Sequence, residues 1–145
     1  MGFGGSSGGS TTVSGASDVA MNTVIDANVL TYNSSTTKWE NGGTRVTVSY
    51  QTGSYTLVMI DAGRAVEINS SSATDLTVPT NASVAFPIGT CIEITQIGTG
   101  AITISPASGV TLQSAGGLLT TRVQYSTASL RKRSANTWLV VGDLA

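Results

Sequence analysis

The feature that most constrains the fold is a dense series of short β-type segments that follows Arg45, each ended by a turn signal. β-branched and aromatic residues alternate with polar ones in these segments, a pattern typical of all-β domains. No segment after Arg45 shows a convincing helical period. The sequence therefore predicts an all-β fold, an antiparallel β-sandwich or barrel-like domain of about eight to ten short strands. The predicted strands are 45–50, 55–60, 64–69, 75–79, 89–97, 101–105, 109–114, 121–133 and 137–141.

The alternation within these segments also assigns faces. In 89–97 it places Ile92 and Ile94 inward and Cys91 outward. Phe86 is predicted to fill the core between the sheets. The segments 55–60 and 137–141 are apolar on both faces, although one face of a small sandwich is normally exposed to water. We therefore expect an outer face to meet another subunit or the N-terminal arm.

The chain before Arg45 has a different character and divides into two parts. Residues 1–17 contain six Gly and five Ser, a composition that does not order itself, and are predicted to form an extended arm. Residues 18–44 are predicted to form a short hairpin that anchors the chain, because VLTY and KWEN flank a polar turn. Such a hairpin buries too little apolar area to stand alone. Residues 45–145 are then the all-β domain.

Apolar and aromatic side chains in the first two parts are the candidate partner contacts. Aromatic residues dominate the energetics of many interfaces. The predicted contacts are Phe3, Val13 and Val19 from the arm side, with Tyr32 and Trp39 as anchors on the hairpin. An equally open alternative is that Trp39 packs the hairpin onto its own domain.

Composition excludes several classes of function. Only 10% of residues are charged and the net charge is −1, so nothing argues for binding to nucleic acid or to an acidic membrane. No apolar run is long enough for a transmembrane helix, and no signal peptide is expected. The chain has one cysteine and no histidine, which removes the usual nucleophile–histidine devices and most zinc sites. We expect no enzyme activity, no catalytic residue, no cofactor and no metal.

Three local features have both a structural and a functional interpretation. Arg131, Lys132 and Arg133 form the one basic cluster, either a solvated strand end or an electrostatic contact with an acidic partner. Asp61 precedes Ala-Gly and is predicted to fix the turn through its side chain. Tyr125, the strongest aromatic candidate for ligand contact in the C-terminal domain, is expected in mid-strand, which weakens a host-binding interpretation.

Two passages resemble bacteriophage virion proteins. NVLTYNSSTTKWEN (28–41) is similar to a unit common in phage fibre and appendage proteins. Residues 55–114, with VPTNASVAFPIGTCIEITQIGTG at their centre, resemble a β-domain near the C-termini of many phage structural proteins, as does NTWLVVGDLA (136–145). The resemblance implies an oligomer, most often a trimer, seated on a virion, and it transfers no catalytic residue.

Two functions are therefore expected, and both are non-enzymatic. The first is a capsid decoration or cement protein that binds the major capsid protein or other virion proteins through its arm. The alternative is a tail or head fibre module, attached by residues 1–44, that binds a host surface glycan or receptor. In either case the chain would be made in the host cytoplasm and end in the virion, as a homo-oligomer.

Overall fold

The computed structural model describes residues 19–20, 29–33, 37–42 and 46–145. The chain divides into two units, Met1–Arg45 and Val46–Ala145. The strands described are β1 (Val19–Ala20), β2 (Val29–Asn33), β3 (Lys38–Gly42), β4 (Val48–Gln51), β5 (Tyr55–Thr56), β6 (Ala65–Ile68), β7 (Thr74–Val78), β8 (Cys91–Gln96), β9 (Ile102–Pro106), β10 (Thr111–Ser114), β11 (Thr127–Ser134) and β12 (Thr137–Gly142). Short 3-10 turns at Met59–Asp61 and Ala115–Gly117 are the helical segments of the described part. The structure is therefore rich in strands.

The first unit contains the expected hairpin. β2 and β3 pair antiparallel, with Tyr32 opposite Trp39. β1 adds to the other edge of β3 in parallel, with Val19 opposite Trp39. These three strands form a small sheet of order β1-β3-β2.

The second unit begins with three coils that stack on one another, here called the parallel coils (residues 48–106). Each coil contributes one strand to a six-stranded sheet and the next strand to a three-stranded sheet: β4 then β5, β6 then β7, β8 then β9. β4, β6 and β8 pair in parallel, and so do β5, β7 and β9. Each turn in a coil therefore joins two sheets, and not two neighbours of one sheet.

The chain then reverses direction in a part here called the closing segment (residues 121–145). β11 pairs antiparallel with β8 on one side and with β12 on the other, with a register shift between Lys132 and Ser134. β10 pairs in parallel with the far edge of β12, which gives the sheet order β10-β12-β11-β8-β6-β4.

The core lies between the two sheets of the second unit. The six-stranded sheet contributes buried side chains such as Val66, Ile94 and Trp138, and the three-stranded sheet contributes Leu76 and Ile104. The expected inward positions of Ile92, Ile94 and Phe86 are confirmed, and Cys91 is exposed as expected. Phe86 stands edge-on to Trp138, with ring centroids 5.5 Å apart, an arrangement that favours aromatic pairs.

Close packing at one corner of the coils requires glycine. A Cβ atom at Gly98 would lie 2.0 Å from the Ser70 carbonyl oxygen, and one at Gly100 would lie 2.0 Å from that of Ser72. These distances are far below van der Waals contact, so the backbone of the third coil sits directly on that of the second.

Two sequence predictions about the fold need correction. Antiparallel pairing holds for β2–β3, β8–β11 and β11–β12, whereas the remaining ladders of the described residues are parallel. Residues 55–60 are not one strand, because β5 ends at Thr56 and Met59–Asp61 form a 3-10 turn. The apolar run on both faces therefore reflects a turn that exposes Val58, Met59 and Ile60, and not a strand covered on both sides.

Candidate interaction surfaces

The hairpin presents an exposed aromatic pair. Tyr32 and Trp39 lie opposite each other on β2 and β3, with ring centroids 5.5 Å apart and planes inclined by 62°. Tyr32 is 54% exposed and Trp39 43% exposed. Of the other predicted arm contacts, Phe3 and Val13 lie outside the described residues, and for Val19 only the backbone position in β1 is described.

The basic cluster does not form one surface. Arg131 and Arg133 are exposed, and Arg133 donates to the Gln113 side chain at 2.6 Å. Lys132 is only 3% exposed, since it shares the inward face of β11 with Leu130. An electrostatic contact with a partner can therefore involve the two arginines, whereas including Lys132 in it was wrong.

Lys132 instead fastens the loop between β7 and β8 to the closing segment. Its Nζ donates to Asn81 Oδ1 and, at 2.8 Å, to the carbonyl oxygen of Phe86. The ammonium also lies 5.8 Å from the centre of the Trp138 ring, within the range of a cation–π contact. Burial lowers the pKa of Lys132.

A second exposed apolar surface lies at the turn that follows β5. Asp61 is fully buried and fixes this turn, as expected, by accepting from the Val58 backbone N–H at 2.8 Å and from the Tyr55 hydroxyl at 3.0 Å. Burial, followed by the bond to Asp61, raises the pKa of Tyr55. The same turn leaves Val58, Met59 and Ile60 exposed, so three consecutive apolar side chains face solvent.

Tyr125 lies in a turn and not in mid-strand, because β11 begins at Thr127. Its side chain is 71% exposed and its φ angle is +69°, a left-handed conformation that a tyrosine seldom adopts. The backbone N–H of Tyr125 donates to the Gln96 carbonyl at 2.7 Å. The side chain of Gln124 donates to the Ile97 carbonyl at 2.8 Å.

Other side chains of the closing segment stabilise this turn. Ser126 Oγ accepts from the Val123 N–H at 3.0 Å and donates to Asp143 Oδ2 at 2.7 Å. Arg122 donates two hydrogen bonds to the same carboxylate, of 2.6 and 2.9 Å. Arg122, followed by Ser126, lowers the pKa of Asp143, and Asp143 raises that of Arg122. Bonds within the chain itself therefore fix the turn that carries Tyr125. Sequence alternation alone did not predict this turn.

A shallow apolar hollow of about 160 Å³ lies near the C-terminal end, between β12 and the turn after β10. Its lining comprises Ala115, Leu118, Val140, Val141, Gly142 and Leu144. Val141 is the outward apolar residue that the sequence placed on a second face of 137–141, and it is exposed in this structure.

The described part of the chain lacks both a membrane-spanning helix and a cluster of metal-ligating side chains. None of its helical segments is long and apolar enough to span a bilayer. Within residues 19–20, 29–33, 37–42 and 46–145, no three acidic or cysteine side chains gather as metal ligands. No protein-family model matches this chain, and no curated protein matches it either.

Proposed function

We propose that this chain is a non-enzymatic component of a bacteriophage particle, a capsid decoration or cement protein that attaches through residues 1–44. The observation that supports attachment is the exposed Tyr32–Trp39 pair, because large aromatic side chains on a small sheet gain most by burial against a partner. The resemblance of residues 28–41 and 55–114 to phage structural proteins supplies the class of particle. The partner would be the major capsid protein or another virion protein, and the protein would act as a homotrimer.

The energetic argument for a cement protein depends on repetition. Burying apolar area contributes about 25 cal/mol per Å², so a few hundred Å² per copy adds up across a shell. Ordering the Gly-rich arm opposes that gain. A low charge fraction suits faces that are covered by neighbours, since charge normally keeps proteins apart.

The first test is copy number, measured by quantitative mass spectrometry on purified particles of the phage that encodes the chain. Hundreds of copies in a simple ratio to the major capsid protein would support a cement protein. A handful, in multiples of three or six, would favour a fibre or tail component. Absence from particles would reject the virion assignment.

The anchor is tested by adding purified protein to particles that lack it. Trp39→Ala should cosediment with particles far less than the unaltered chain, because half of the aromatic pair is gone. Tyr50→Ala is the matched control, since Tyr50 is an exposed aromatic on β4 in the second unit. Equal cosedimentation of Trp39→Ala and the unaltered chain would contradict this role.

The second candidate function is a fibre or appendage module that binds a host surface glycan or receptor. The observation that favours it is the position of Tyr125, which is exposed in a fixed turn and not enclosed in a strand. Rigid exposed aromatic side chains are efficient binding anchors because little conformational entropy is lost when they are covered.

A further inference from the structure

We propose that Tyr125 and the adjoining corner of the parallel coils form a binding site for a neutral saccharide. This inference rests on the second candidate function and gives it a location and a ligand class. A pyranose ring offers an apolar face of C–H groups and a rim of hydroxyls. A site for it needs an accessible aromatic ring beside uncharged hydrogen-bonding groups.

The aromatic part of the site is preorganised. The ring of Tyr125 is exposed on a turn whose backbone is tied to Gln96 and whose neighbouring side chain, Gln124, is tied to Ile97. A tyrosine held at positive φ is strained, and such strain persists only where surrounding contacts enforce it. The bonds from Ser126 and Arg122 to Asp143 provide that enforcement.

The polar part of the site is the corner where the turns of two coils stack. Gly98 N–H donates to the Ile68 carbonyl and Gly100 N–H donates to that of Ser70, which places residues 97–101 directly on residues 69–73. The exposed hydroxyl-bearing residues of these turns are Ser71, Ser72 and Thr99. The Gln124–Ile97 bond joins this corner to the Tyr125 turn.

The charge of the surroundings selects the ligand class. Residues 69–73 and 97–101 contain no Asp, Glu, Lys or Arg. The nearest charged side chain of the turn itself, Arg122, is neutralised by Asp143. A nucleic acid or an acidic polymer would need unpaired cations, whereas a neutral sugar needs none.

The test is binding of the full chain to an array of bacterial surface oligosaccharides, both neutral and uronic-acid-containing, followed by titration of the neutral ones that bind. Tyr125→Ala should weaken binding at least about tenfold, the equivalent of 1.4 kcal/mol. Tyr125→Phe keeps the ring and should stay within about threefold of the unaltered chain. Tyr50→Ala removes an equally exposed tyrosine from β4 and should leave binding unchanged.

Thermal unfolding of each variant checks that it is folded. Tyr125→Gly is a second variant, which removes the ring and relieves the backbone strain of the positive φ angle. It should melt higher than the unaltered chain and still fail to bind. The inference is overturned if no neutral sugar binds, if only acidic sugars bind, or if Tyr125→Ala and Tyr125→Gly bind normally. If the protein is present in particles but binds no neutral sugar through Tyr125, the saccharide site is rejected and the virion proposal stands. If it binds sugar but is absent from particles, the virion proposal is rejected and the saccharide site stands.

Discussion

The parallel coils and the closing segment share the six-stranded sheet but are held by different contacts. In the coils, in-register backbone ladders and apolar side chains such as Val66 and Ile104 predominate, and Gly98 allows adjacent coils to touch. In the closing segment, buried or bidentate polar side chains fix the structure, as Lys132 and Arg122 show. The coils should therefore be sensitive to added bulk, and the closing segment to lost polar partners and to pH.

The largest effect is expected from Gly98→Ala. The new Cβ would collide with backbone atoms of Ser70, which cannot move without separating the coils. We expect a loss of about 3 kcal/mol or more in unfolding free energy, measured by urea denaturation.

Gly53→Ala is the matched control, because Gly53 occupies the corresponding turn of the first coil with nothing within 4 Å of its Cβ position. It should be neutral or slightly stabilising. Similar losses at both positions would show that the close approach of the coils does not matter.

The next largest effect is expected from Lys132→Ala in the closing segment. The substitution removes the ammonium that donates to both the half-buried Asn81 amide oxygen and the buried Phe86 carbonyl, and leaves them without that donor. Such orphaned groups cost about 1–3 kcal/mol. The adjacent Arg131→Ala, at an exposed position, should change stability by less than about 0.5 kcal/mol in the same denaturation assay. If Arg131→Ala costs as much, burial of Lys132 is not what distinguishes the two.

Local sequence patterns predicted the positions of the strands but not their directions. Each of the nine strands of residues 46–145 overlaps a segment predicted from alternation and turn signals, and the inward positions of Ile92 and Ile94 follow from period two. Strand direction did not follow, because alternation is the same in parallel and antiparallel sheets. The turn between β4 and β5 is as short as a hairpin loop, yet it joins two sheets.

The candidate surfaces were only partly predictable for a related reason. Tyr32 and Trp39 were found because a hairpin pairs them locally. The burial of Lys132 had a signal, since alternation places it on the face of Leu130, but its partner Asn81 is 51 residues away. The turn at Tyr125 depends on Gln96 and Asp143, both distant in sequence.

A smaller effect, of opposite sign, is expected from Tyr125→Gly. Glycine adopts positive φ without the steric penalty that a tyrosine pays, so we expect about 1 kcal/mol of added stability. Tyr125→Ala keeps a Cβ atom and should not show this gain. A destabilised glycine variant would mean that the ring packs on the coils and contributes to the fold.

The smallest effect, and the one that most directly separates the two regions, is acid sensitivity from Asp143. Its pKa lies below the ordinary value of 3.8, because of Arg122 and then Ser126, so the unfolded chain binds the proton more readily than the folded one. The stabilisation is therefore present above about pH 3.8 and is lost as pH falls through the lower folded pKa. Arg122→Gln removes the main cause, so the Asp143 pKa measured by NMR should rise and stability should fall less steeply with acid. Because the carboxylate is exposed, screening by 1 M salt should weaken the same difference, whereas the Gly98→Ala loss, being steric, should not change with salt.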